Sequence, residues 1–192
     1  MLGGRTRAAL GAAATVAVGL ILAGPAGAAS GARVIEAQDA CDPVTFNDET
    51  NPAVPPGGLC HRADGNSGPR VTFAGLFDRL VRKGSHEAWR FDRREVTLKA
   101  GESALARMGR AGELHTFTEV PAFGPGCVPP VNNAVFGEGN WEFPAACADF
   151  DAVVGATGLF PGRELPVTGL SPGTHRFECL IHPWMRTTVT VE

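Results

Sequence analysis

The sequence predicts an all-β protein, a β-sandwich preceded by one amphipathic helix and a disulfide-pinned arm. Two observations carry this prediction. From residue 88 onward, short β-prone runs alternate apolar and polar residues, the period of a half-buried strand. Gly- and Pro-rich turns separate these runs and no helical pattern alternates with them, which favours a sandwich of short strands.

The first 28 residues are predicted to be a signal peptide. Arg5 and Arg7 precede an apolar run over residues 8–23, and an A-x-A cleavage pattern ends at Ala28. We expect cleavage after residue 28 or 29 and no stable membrane span afterwards. A membrane anchor is the alternative, but the run is rich in Ala and Gly and is shorter than the ~20 residues that span a bilayer. The chain is therefore expected to be secreted or periplasmic, exported by a Sec-type signal.

The charge balance argues against nucleic acid as a partner. Without its signal peptide the chain has 15 basic and 20 acidic side chains, a net charge of −5. No basic patch stands out in the sequence, so a nucleic-acid interface is not expected.

Residues 29–87 are predicted to be an arm followed by a helix. Residues 30–70 are rich in Pro, Gly, Asp and Asn and are interpreted as loop. A helix is expected over residues 72–84, with Thr72 as its N-cap and Gly84 at its end. Its apolar positions recur at i, i+3, i+4, i+7 and i+8: Phe73, Leu76, Phe77, Leu80 and Val81.

Residues 88–192 are predicted to form the sandwich. Strand-like runs cover residues 95–100, 114–120, 173–182 and 185–192. Residues 121–170 are interpreted as a long Pro- and Gly-rich connection between them.

An exported chain with five cysteines leaves one thiol unpaired. Pairing by neighbourhood joins Cys41 to Cys60 and Cys127 to Cys147. Each pair closes a loop of about 20 residues, which the chain-entropy account values at roughly 3 kcal/mol. Spacing alone does not prove this connectivity, but it leaves Cys179 as the odd thiol.

The segment CLIHPWM, residues 179–185, places a thiol, an imidazole and a thioether at three-residue intervals. A tight turn stiffened by its proline can aim all three at one point. Zinc seldom uses Met, whereas two His and one Cys with a weak axial Met form a type 1 copper site. The run 114–120 supplies the second histidine. The predicted ligands of one copper ion are His115, Cys179, His182 and Met185.

The remaining histidines have simpler interpretations. Taken alone, His115 would be a satisfied core histidine, and only the neighbouring trio favours ligation. His175 is expected to be a packed or hydrogen-bonded strand residue. His61 and His86 are expected to be exposed.

The tail PGTHRFECLIHPWM resembles that of the cupredoxins, the small blue copper proteins, and its Cys-x2-His-x2-Met spacing is similar to the ligand loop of the amicyanins and plastocyanins. The resemblance covers residues 88–120 and 165–192. It implies a Greek-key sandwich, cycling between Cu(I) and Cu(II), and a redox protein as partner. It also implies an electron-transfer surface at the C-terminal ligand histidine, formed here by His182, Pro183 and Trp184. Trp184 is alternatively a lid that shields the copper.

Two positions depart from the family pattern. Thr116 follows the first ligand histidine where the family often has Asn, whose side chain braces the ligand loop; the Thr hydroxyl could take part of that role. His175 stands where a Tyr is common.

The leading hypothesis is an exported electron carrier that is not an enzyme. Four protein ligands leave no open position for a substrate, and the His-x-His pairs of multicopper enzymes do not occur in the sequence. The alternative is an extracytoplasmic copper-binding or delivery protein without a shuttle role. A third hypothesis is a structural sandwich with a vestigial site.

Overall fold

The computed structural model describes residues 32–61 and 69–192, so the predicted signal peptide lies outside the described residues. The strands are β1 (Arg33–Gln38), β2 (Arg90–Phe91), β3 (Glu95–Leu98), β4 (Ala104–Met108), β5 (His115–Thr116), β6 (Thr118–Val120), β7 (Gly158–Leu159), β8 (Glu164–Val167), β9 (Gly173–Glu178) and β10 (Arg186–Val191). The helices are α1 (Pro43–Phe46), α2 (Phe73–Lys83), α3 (Pro129–Phe136) and α4 (Phe150–Thr157), with a 3-10 turn at Ala145–Asp149. None of the helices in these two ranges has the length and apolar character needed to cross a bilayer.

Two four-stranded sheets form a β-sandwich. The first has the order β2-β1-β4-β8 and the second the order β3-β10-β9-β6, while β5 and β7 form a separate pair. The neighbours β1 and β4 are parallel, as are β3 and β10, and the other neighbours are antiparallel. The prediction of a β-sandwich is confirmed.

Aromatic side chains connect the two sheets through one core. Phe91 of β2 meets the edge of Phe117, which follows β5, at a ring distance of 5.0 Å. The Phe117 ring in turn stacks on Phe177 of β9 at 4.5 Å. All three rings are buried, and such pairs stabilise the core beyond the burial of their apolar area.

Helix α2 begins and ends where its sequence predicts. The Thr72 hydroxyl accepts a hydrogen bond from the Gly75 amide, which satisfies one of the free donors at the helix start. Gly84 ends the helix in the left-handed region at φ 65°, a conformation that glycine adopts without a Cβ clash. Leu76 and Leu80 of the predicted apolar stripe are buried.

The predicted arm contains more regular structure than its composition indicated. Strand β1 lies within it and pairs with β2 and β4 of the sandwich. Buried and less buried residues alternate along β1, with Ile35 and Ala37 facing the core. The composition of residues 30–70 hides this strand because the Pro- and Gly-rich residues after it outnumber it. The interpretation of the whole of residues 30–70 as loop is therefore wrong, whereas the division of the chain at residue 87 stays a prediction.

The connection over residues 121–170 is also more regular than expected. It contains α3, α4, β7 and β8, so the interpretation of these residues as a connection between strands is wrong, whereas the predicted N-terminal amphipathic helix is present as α2. Prolines suggested a loop here, yet Pro129 and Pro130 stand at the first positions of α3, where a helix needs no amide hydrogen from them.

The structure contains the two disulfides that the cysteine spacing predicts. Cys41 bonds to Cys60 and Cys127 to Cys147, while Cys179 is a free and buried thiol.

Candidate metal centre

The ligand loop is the turn that connects β9 to β10. The Cys179 amide donates to the Met185 carbonyl at 3.0 Å, and the Met185 amide donates to the His182 carbonyl at 2.8 Å. These two hydrogen bonds close the turn across its base and hold the first and last predicted ligands next to each other. Pro183, inside the turn, restricts the backbone further.

Three of the predicted ligands converge. The Cys179 sulfur lies 3.9 Å from His115 Nδ1 and 3.7 Å from His182 Nδ1. The two Nδ1 atoms are 3.1 Å apart. All three side chains are buried, and His115 reaches them from the β5–β7 pair. Met185 is also fully buried, in the same turn.

These distances suit a single metal ion. A metal about 2.0 Å from nitrogen and about 2.3 Å from thiolate sulfur, in a trigonal plane, would separate the nitrogens by about 3.5 Å and each nitrogen from sulfur by about 3.7 Å. Two imidazoles and one thiolate beside a thioether are the donor set of type 1 copper. The residues therefore fit the metal that the sequence predicts.

The surroundings favour the thiolate that a metal requires. Burial opposes ionisation of Cys179, but hydrogen bonding to His115 and His182 holds the pKa of its thiol well below the ordinary value. Burial likewise opposes a charge on His115, yet Asp39 and Cys179 raise the pKa of its imidazole to about 10. The Thr116 amide also donates to the sulfur, at 3.3 Å.

Thr116 braces the ligand loop. Its hydroxyl accepts a hydrogen bond from the Leu180 amide at 2.8 Å, one residue after Cys179. Thr116 is fully buried, so this hydrogen bond satisfies an amide that water cannot reach. The hydroxyl thus takes the bracing role suggested for it by the family comparison.

A buried carboxylate holds the first histidine. Asp39, just after β1, lies 3.0 Å from His115 Nε2 and also accepts hydrogen bonds from the Gly112 and Glu113 amides. Burial opposes ionisation of Asp39, but these partners keep the pKa of its carboxyl below the ordinary value. A carboxylate on the outer nitrogen fixes the imidazole tautomer and leaves Nδ1 as the donor atom toward the metal.

A second carboxylate faces the other histidine less closely. Glu113 Oε2 lies 3.8 Å from His182 Nε2 and accepts a hydrogen bond from the Trp89 indole. Glu113 is buried, and burial raises the pKa of its carboxyl. The outer edge of His182 therefore faces protein rather than solvent.

The expected electron-transfer surface is only partly at the surface. His182 is 3% exposed and Pro183 is buried, so their expected exposure is wrong. For His182 the reason is that Glu113 faces its Nε2 edge and the Trp184 ring lies against the imidazole. Trp184 is half-buried: its indole donates to the His86 and Trp89 carbonyls, and its ring meets His182 at 5.5 Å.

The other histidines lie outside the cluster. His175 of β9 is hydrogen-bonded to Glu119 and to the Ser171 carbonyl, which confirms its interpretation as a strand histidine. His61 is exposed as expected. His86 is not, because it packs edge-on against Trp89 at 5.0 Å.

Sequence reasoning missed both carboxylates. Glu113 could have been found, since it precedes His115 by two residues, and residues i and i+2 of an extended chain share a face. Asp39 carries no such signal, because it is 76 residues from His115 and only the pairing of β1 brings it there.

No protein-family profile and no curated protein sequence matches the chain. Solved structures that it resembles include the purple cupredoxin from Nitrosopumilus maritimus, at 16% identity over 56% of this chain and 86% of that one, with a TM-score of 0.34. Amicyanin from Paracoccus versutus is 24% identical over 56% and 77%, with a TM-score of 0.32. A mutant fern plastocyanin is 19% identical over 54% and 89%, with a TM-score of 0.33. The chain is thus similar to cupredoxins, and the assignment of its metal centre depends on its own residues.

Proposed function

We propose that this chain is an exported type 1 copper protein that carries single electrons between redox partners and is not an enzyme. The observation that carries the proposal is the buried convergence of His115, Cys179 and His182, with Met185 in the same turn. Copper held there would supply one-electron chemistry between Cu(I) and Cu(II).

The chain's own residues suit that role by limiting rearrangement. Asp39 orients His115, Thr116 holds the loop that carries Cys179, and the closed turn fixes His182. Ligands held by such hydrogen bonds favour one geometry for both oxidation states, so an electron can pass with little reorganisation. Burial of the donor atoms also leaves no open position for a substrate.

Export is supported by two features. The first 28 residues have the pattern of a signal peptide, and the two disulfides would persist in an oxidising compartment.

Matched histidine variants test the site. The copper-loaded protein is expected to show an intense visible band from charge transfer between the Cys179 thiolate and copper. We expect His115→Ala to abolish the band. His175 is a half-buried strand histidine outside the cluster, so His175→Ala should keep the band. Cys179→Ser should lose the band while remaining folded. A copper-loaded wild type without any visible band would contradict the proposal.

Voltammetry separates the carrier from a copper-delivery protein. A carrier gives a reversible one-electron wave and keeps its copper through many cycles. A delivery protein must release the ion, which complete burial of Cys179 and His115 opposes. Rapid loss of copper to a competing chelator, without a reversible wave, would favour delivery.

A further inference from the structure

A groove beside the metal centre is lined by arginines. It has a volume of about 570 Å³, and its walls include Arg79, Arg90, Arg94 and Arg186 with a single acidic residue, Glu87. The chain as a whole is acidic, with a formal net charge of −3. Arg79 is ion-paired to Glu87 and Arg186 to Glu178, so among the described residues the positive charge that the groove presents comes from Arg90 and Arg94.

The groove also reaches the predicted ligands. Trp184 and Met185 both line it, so its wall includes one predicted ligand and the residue whose ring contacts His182. His182 itself is closed off by Glu113 and is 3% exposed. Trp184 therefore connects the buried site to a surface that a second molecule can reach.

Its composition is that of a protein interface. Aromatic residues and arginine are enriched at the centres of such interfaces, where they contribute much of the binding energy. In the groove, Arg186 lies over the Phe123 ring at 5.1 Å, and Trp184 is half-buried beside them. Arg90 and Arg94 are exposed at its rim, where their charge can act on an approaching partner.

We propose that this arginine-lined groove docks an acidic protein, the redox partner, over Trp184. The inference rests on the proposed function, since it names the class of partner and the place of contact. Net charge alone would favour a basic partner instead, since the chain without its predicted signal peptide has a net charge of −5. The charge around the groove, rather than the net charge of the chain, decides which partner docks there, because exposed charges are screened over about 10 Å at 0.1 M salt.

Two coated gold electrodes test the proposal without knowledge of the partner. A carboxylate-terminated monolayer stands in for an acidic protein, and an amine-terminated monolayer attracts the chain by its net charge. We expect the copper-loaded protein to exchange electrons faster at the carboxylate surface, with a rate constant that falls as salt is added. Arg94→Glu should lower that rate constant about tenfold.

Lys99→Glu is the matched control, because Lys99 is exposed and directly follows Leu98, which pairs with Val191 at the far end of β10 from the ligand loop. It makes the same change in net charge away from the groove, so it should leave the rate constant at the carboxylate surface unchanged. Retention of the visible band in both variants shows that the site is intact. An equal loss in Lys99→Glu, or faster exchange at the amine surface, would overturn the docking proposal.

Two further results have distinct meanings. Saturable one-to-one binding of inorganic phosphate, lost in Arg94→Glu, would make the groove a small-anion pocket and overturn docking of a protein. Absence of electron exchange at both surfaces, from protein that keeps its visible band, would overturn the carrier function and the groove proposal together. Exchange at equal rates on both surfaces would leave the carrier function standing and overturn the groove alone.

Discussion

Residues 41–60 and residues 127–147 are closed by disulfides that span 19 and 20 residues, yet the two loops lie differently in the fold. Both sulfurs of the first disulfide are buried in the core, and Phe46 of the same loop is fully buried. The second loop is largely at the surface: its 3-10 turn contains no buried residue, and Phe143 is 56% exposed. The two disulfides thus close loops of nearly equal length, but only the first disulfide is packed in the core.

The two loops also contact the metal centre in different ways. The Cys41 amide donates to Asp39, the carboxylate that holds His115. The Cys127 amide donates instead to the Leu180 carbonyl, in the backbone of the ligand loop. Both contacts are made by main-chain amides, but the first reaches the carboxylate that holds a ligand side chain and belongs to a disulfide buried in the core, whereas the second reaches the backbone of the ligand loop and belongs to a half-buried disulfide.

The largest effect is expected from removal of the first disulfide. Cys41→Ala with Cys60→Ala should lower the free energy of unfolding by about 4 kcal/mol, of which about 3 kcal/mol is lost loop closure and the rest lost core packing. Copper affinity should also fall: the residue 41 amide remains, but its backbone, two residues from Asp39, is no longer anchored in the core by a buried disulfide. Urea unfolding of the metal-free protein measures the first effect, and competition with a chelator measures the second.

Removal of the second disulfide should have a smaller effect. Cys127→Ala with Cys147→Ala should cost about 3 kcal/mol in the same unfolding experiment, since the loop is as long but its sulfurs are only half-buried. Copper affinity and the visible spectrum should not change, because the residue 127 amide that contacts Leu180 remains and the adjacent Gly126 is still held on both its amide and its carbonyl by the buried Asn132 side chain. A loss of copper affinity as large as that of the first pair would remove the distinction between the two loops.

Cysteine spacing predicted both pairings but could not distinguish their roles. Local patterns sufficed where the determinants are local: the capped helix α2, the alternating strands and the CLIHPWM turn. The Asp39–His115 contact joins residues 76 apart and depends on the pairing of β1 with β4, which no short window of sequence contains. The burial of His182 is likewise beyond local patterns, because Glu113, which faces its Nε2 edge, comes from a distant part of the chain.

The third effect concerns Asp39 itself. Asp39→Asn keeps the size of the side chain but removes the charge that faces His115 Nε2, so copper affinity should fall about 10- to 100-fold. Asp42→Asn is the matched control, because Asp42 lies in the same segment and contacts Thr45 instead of a ligand. Chelator competition measures both affinities. If the two variants bound copper equally, Asp39 would have no part in holding His115.

The smallest effect is expected at Thr116. Its hydroxyl accepts a hydrogen bond from the Leu180 amide, while the Leu180 carbonyl accepts one from the Cys127 amide. Thr116→Val removes the acceptor and leaves a buried amide unsatisfied, so stability should fall by about 1 kcal/mol. Leu180 would then be held only through its carbonyl, by the Cys127 amide, and the visible band should shift. Thr116→Ser should restore both properties because it returns the hydroxyl.

Thr187→Val is the control for this last change. Thr187 is as buried as Thr116, and its hydroxyl donates to the Arg93 carbonyl, outside the ligand loop. It should lose a similar amount of stability in thermal unfolding without a shift of the band. A shift of equal size in both threonine variants would mean that the spectrum follows general stability, and that the bond between Thr116 and Leu180 has no specific effect on the geometry around Cys179.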